Sequence, residues 1–105
     1  SGTLVGTVVD GEPAATAGMQ PGDRILEVAG EQVTAFSDVQ ALIEERPGQD
    51  VPVVVERDGQ RVSLTVTPRG APSLNPLEKG KQLGRVGIMP HVQQPFVTVA
   101  PNSPA

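Results

Sequence analysis

Between Glu12 and Ile25 the chain reads EPAATAGMQPGDRI, with two prolines, two glycines and three alanines. The stretch is too interrupted for a long helix and too small-sided for a strand, because proline removes a backbone donor and glycine gives up conformational restriction. Only short elements joined by tight corners fit it. Pro13 suits the first turn of a one-turn helix, where a missing N–H costs nothing. Ala14, Ala15 and Ala17 continue that helix and Gly18 ends it. Met19 to Asp23 then reads as a second turn and Arg24–Val28 as a short strand. The small side chains predict a helix seated close to a sheet.

The remaining pattern is of the same kind. Thr3–Val9 predicts a strand buried on both faces, and Gly6 within it predicts a bulge or a close backbone approach. Phe36, Val39, Leu42 and Ile43 recur at helical spacing over Phe36–Glu45. Thr34 or Ser37 is placed to cap that helix, Asp38 favours its positive end, and Pro47-Gly48 ends it after Arg46. Val51, Val53 and Val55 share one face of a strand. Val62, Leu64 and Val66 share one face of the next, with Asp58-Gly59 as a hairpin turn between them. Gly70 to Gly80 reads as an exposed loop. Leu83–Met89 recovers strand character, Val97–Val99 reads as a further short strand, and Pro101–Ala105 as a frayed end. The expected fold is a single α+β domain: a partly open β-barrel or sandwich of five to six strands, with one short and one longer helix.

Composition narrows the function. Phe36 and Phe96 are the only aromatic residues, so the core is aliphatic and dominated by valine. The formal net charge is −4 and Lys and Arg form no run, which argues against nucleic acid as a partner. The absence of cysteine excludes disulfides and thiolate metal sites. His91 is the only histidine. A triad of His91 and Ser37 with an Asp lacks any ordering motif, and a zinc site would need three or four ligands. His91 therefore reads as a surface residue and Glu44-Glu45 as a solvated helix face. Asp23 reads as an acceptor for backbone N–H groups in its tight loop and Arg24 as solvent-facing. No apolar run approaches the roughly 18–20 residues needed to cross a bilayer.

The run Pro13-Ala14-Ala15, Ala17-Gly18-Met19, Pro21-Gly22-Asp23-Arg24-Ile25, Gly30 and Val33 resembles the bacterial PDZ pattern S-P-A-A-x-A-G-L-x-P-G-D-x-I-x-x-x-N-G-x-x-V. Glu12 stands where that pattern usually has Ser, and Ala29 where it usually has Asn. The resemblance covers about residues 3–68. The candidate carboxylate-binding loop and groove strand, Gly84-Arg85-Val86-Gly87-Ile88, follows a linker and comes last in the chain. That order resembles the PDZ domains of bacterial site-2 proteases, which are intramembrane zinc metalloproteases.

The resemblance implies a circularly permuted PDZ domain over residues 3–92, with a main body at 3–68, a linker loop at 69–82, a groove strand at 83–90, and a tail at 93–105. It implies a peptide groove walled by Gly84, Arg85, Val86, Gly87, Ile88 and Met89 on one side and by Phe36 and Gln40 on the other, with Val39 and Ile43 facing the core. It also implies a non-catalytic regulatory module on the periplasmic or extracytoplasmic side of a membrane-anchored parent. The zinc site and the family's H-E-x-x-H helix would lie outside this chain, which needs no cofactor of its own and is monomeric. Its partner would be a C-terminal peptide or a membrane-embedded protein substrate such as a cleaved anti-sigma factor. The rival readings are a steric size filter with no peptide affinity, and the PDZ domain of a trypsin-like periplasmic protease or secretion scaffold.

Overall fold

The computed structural model describes residues 2–92. The tail at 93–105, including the expected strand at Val97–Val99, lies outside the described residues. Among the described residues, eight strands and two helices follow one another. They are β1 (Val5–Val8), α1 (Pro13–Thr16), β2 (Arg24–Val28), β3 (Glu31–Gln32), α2 (Phe36–Glu44), β4 (Val51–Arg57), β5 (Gln60–Val66), β6 (Arg69–Pro72), β7 (Gln82–Arg85) and β8 (Ile88–Pro90). A 3-10 turn at Pro76–Glu78 lies between β6 and β7.

The strands form open sheets rather than a closed barrel: a four-stranded antiparallel sheet ordered β3-β2-β4-β5, and two ribbons, β1-β8 and β6-β7. The class is α+β, as expected, but the strands are shorter and more numerous than the five or six anticipated. The Gly70–Gly80 stretch expected as loop opens with strand β6, whose Gly70 lies opposite Gly84 of β7. A segment with so little strand propensity is held extended by its ladder partner, a tertiary effect that its own residues do not advertise.

Strand β1 is not buried on both faces, since Thr7 is exposed. The ladder shifts register between Val5 and Thr7, and a side chain at Gly6 would collide with the His91 backbone. Gly6 thus sits at both a bulge and a close approach. The α2 helix starts after Ala35, and neither Thr34 nor Ser37 caps it. Asp38 reaches back instead, its Oδ2 accepting from the Ala35 N–H at 3.1 Å and the Thr34 N–H at 3.2 Å. The helix buries Val39 and Ile43. Val51, Val53 and Val55 of β4 are buried on one face, joined by Val5, Ala14, Ile25, Val28, Val66 and Val86 in one aliphatic core.

Candidate functional site

A groove opens between α2 and the last described β-segment. Phe36, Gln40, Ile43 and Glu44 line it from the helix, and Gly84, Arg85, Val86, Gly87 and Ile88 from the other wall. Gly84 lets one wall close onto the other, and Gly87 lets Glu12 come close. A Cβ on Gly84 would strike the Ile43 carbonyl oxygen in the last turn of α2. Gly87 has φ +78°, and a Cβ there would strike the Glu12 side chain. The turn at Gly87 splits the expected single groove strand into β7 and β8, because a positive φ cannot continue an extended ladder.

Main-chain polarity makes the groove chemically specific. The Val86 carbonyl accepts from the Ala14 N–H at 3.0 Å, and the Gly87 carbonyl from the Val9 N–H at 2.9 Å. No described peptide is cis, and a trans peptide plane points its C=O and its N–H in opposite directions. The N–H groups of Gly87 and Ile88 therefore point away from α1 and β1. Among the described residues β8 pairs only with β1. Among the described residues nothing bonds this outer edge or these two donors, and successive backbone N–H groups at a turn are suited to an anion.

Two ion pairs stand at the same end. Arg85 Nη1 donates to Glu44 Oε2 at 2.9 Å, bridging β7 and α2. Arg69 Nη2 donates to Glu12 Oε1 at 2.8 Å. Glu12 occupies the position before α1 but makes no capping bond with its side chain.

A PDZ-domain family profile matches residues 4–57. This chain belongs to the PDZ family. The PDZ domain is 41% identical over 86 residues to metalloprotease MmpA of Caulobacter vibrioides, covering 82% of this chain and 22% of that protein. It is 38% identical over 79 residues to the regulator of sigma-E protease RseP of Escherichia coli, covering 75% of this chain and 16% of that protein. The chain thus spans about a fifth of the length of the curated relatives it matches. The stretch shared with these proteases is a PDZ domain, and the proteolytic site of such an enzyme lies outside it. Among solved structures, an HtrA-type protease, AlgW, with a decapeptide aligns with TM-score 0.56 and 35% identity over 61% of this chain and 20% of that one. The PDZ domain of an SdrC-like protein from Listeria innocua shares the fold, with TM-score 0.65 and 18% identity over 90% of this chain and 98% of that one.

Of the residues expected to wall the groove, Gly84 to Ile88, Phe36 and Gln40 come together. Met89 does not: it is exposed on a different surface beside Gly6, Thr7, Pro90 and His91, because alternate residues of a strand face opposite ways. Phe36 serves two roles, half-buried against the core while lining the groove. Ile43 was expected in the core and is there, and it also contributes to the groove floor. Glu44, expected only as solvated surface, and Glu12 and Arg69 were missed as groove residues. The signal available for Glu12 was its departure from the family's Ser. For Arg69 there is none, since its strand has too little local strand preference to show in the sequence.

Asp23 does accept a backbone N–H, that of Gln20, at 2.9 Å. It also takes a two-pronged bond from Arg57, Nε to Oδ1 and Nη2 to Oδ2, both at 2.8 Å. Burial pushes the Asp23 carboxyl up, but the Arg57 bonds, the Gln20 N–H and the Arg57 charge outweigh it and hold the group below the usual carboxylate range. The pair is structural and lies outside the residues lining the groove. The chain has one histidine and no cysteine, and among the described residues no group of three His, Cys, Asp or Glu side chains is placed to hold a metal. The residues present do not fit a zinc ion, and no described helix is long and apolar enough to cross a membrane.

Proposed function

We propose that this PDZ domain is the peptide-binding module of an intramembrane site-2 zinc metalloprotease, placed on the extracytoplasmic side. It binds the free C-terminus of a membrane-protein substrate that a first cleavage has exposed. The observation that carries the reading is the pair of outward N–H groups at Gly87 and Ile88, beside the open edge of β8 and opposite Phe36, Gln40 and Ile43. A peptide adding to β8 as an extra strand would place its terminal carboxylate on those donors and an apolar end residue over Ile43. The decapeptide bound to AlgW supports peptide capture as a use of this fold.

The likeness to MmpA and RseP supports the protease assignment. A substrate such as a clipped anti-sigma factor fits it chemically, because clipping creates the carboxylate that the groove is built to accept.

The test is an NMR titration of the whole chain with a peptide ending in an apolar residue, alongside the same peptide amidated at its end. Shifts at the Gly84–Ile88 amides with an affinity in the micromolar to millimolar range, about 4–8 kcal/mol, are expected for the free acid and not for the amide. Silence of those amides at millimolar free acid would reject peptide capture and leave a steric filter on substrate entry.

A further inference from the structure

The two ion pairs at the closed end of the groove set a condition on the ligand that the backbone donors alone do not. Arg85 and Glu44 are each a little over one-third exposed, at 37% and 38% of the side chain, and both line the groove. Glu12 packs beside the α-carbon of Gly87, one of the two donor residues, and is held by Arg69. The cluster holds two acids and two bases and is neutral. An incoming carboxylate adds one negative charge beside Glu12 and Glu44. Arg85 reaches Glu44 through one Nη only, so a ligand carboxylate that recruits it shares the one guanidinium with Glu44 and leaves the cluster one negative charge in excess.

We infer that the groove selects peptide ends that carry a Lys or Arg within the last three residues beside the free carboxylate. This rests on the peptide-binding reading above. The ligand carboxylate bonds the Gly87 and Ile88 N–H groups and Arg85, while the ligand's own cation replaces Arg85 on Glu44. Every charge is then paired, as it is in the free domain. An acidic residue in the same place would meet Glu44 and Glu12 and is disfavoured. Because all four groups are partly open to water, the discrimination has the size of exposed ion pairs rather than buried ones.

The experiment titrates three free-acid decapeptides with the same apolar end residue. They differ only in carrying Lys, Ala or Glu at the next-to-last position, and a second set places the change one residue earlier. In at least one set the wild-type chain should bind the Lys peptide about three- to tenfold more tightly than the Glu peptide, and added salt at about 0.5 M should shrink that ratio. In Glu44→Gln the ratio should fall below about twofold, while the Ala peptide binds more tightly because Arg85 is released. Equal affinities for Lys and Glu peptides in both sets, or a preference for Glu, would overturn the inference and leave peptide capture standing. A Lys preference that neither salt nor Glu44→Gln reduces would also overturn it. Failure of all the peptides to bind would remove both readings together.

Discussion

Ala29 has φ +55°, a left-handed conformation, and Gly30 follows at +81°. Together they make the two-residue turn between β2 and β3, where Val28 faces Glu31. Such a turn requires positive φ at both central residues, which brings any Cβ close to the following carbonyl; Asn offsets this with local hydrogen bonds from its side chain and Ala cannot. The family pattern's Asn is therefore a conformational preference, and this chain meets the same backbone with Ala at a cost. Ala29→Asn should raise stability by about 0.5–1 kcal/mol, read as a higher urea midpoint at unchanged slope. A midpoint that fell would mean that the half-buried Ala29 methyl contributes more by packing than the conformation costs. The glycines at 84 and 87 differ from the one at 30: each admits a neighbour that a Cβ would exclude. That role makes G-x-x-G a fold requirement here before it is a ligand motif.

Elements in this domain are short, and side chains at their ends hold them in place. The turn from Gly18 to Asp23 is fastened to the end of β4 by Arg57, which bonds Asp23 twice and the Gly18 carbonyl at 2.9 Å. With Arg57 in place Asp23 is 1% exposed, and without it the Gln20 N–H is the one described hydrogen bond left to the carboxylate. Arg57→Ala should lower the denaturant midpoint by more than any exposed ion-pair deletion does, because it leaves a buried carboxylate without its cation. The same change at Arg61, whose pair with Glu27 is exposed, should cost no more than about 1 kcal/mol. Comparable losses at the two sites would show that the buried carboxylate is not what makes the clamp matter. Strand β6 illustrates the opposite case, an element with weak local preference that exists because β7 pairs with it along its whole length.

At the scale of the whole molecule, acid is the condition that finds the clamp. Asp23 titrates lower in the folded chain than unfolded, as does Glu78, which accepts from the Ser73 hydroxyl and from Lys81. A depressed carboxylate contributes stability that is fully present above its unfolded value, near 3.9 for Asp, and is lost as pH falls through the lower folded value. Unfolding midpoints should therefore hold steady from about pH 7 to pH 5 and drop below about pH 4. In Arg57→Ala the drop should be shallower, since both Arg57 contributions to the Asp23 shift are gone and only the Gln20 N–H still lowers it. A variant that loses stability as steeply as the wild type would place the acid sensitivity elsewhere. The groove and the clamp are separate, so acid unfolding and peptide binding can be measured without one standing for the other.

The sequence by itself determined the parts whose signals are local: the one-turn helix opened by Pro13, the Asp58-Gly59 hairpin, the alternating valines of β4, and the core face of α2 at Val39 and Ile43. It also carried the PDZ pattern, because that pattern is a string of turns whose geometry only Gly, Pro and Asp satisfy cheaply. Only the tertiary structure decided that residues 69–72 are a strand, that Gly87 breaks the groove strand in two, that Met89 turns away, and that Glu12, Glu44, Arg69 and Arg85 meet at one end of the groove. Those outcomes depend on which distant segments come into contact. A chain's own residues fix its dihedral preferences, but the pairing of a strand edge or of two charges is fixed by whatever the fold brings beside it.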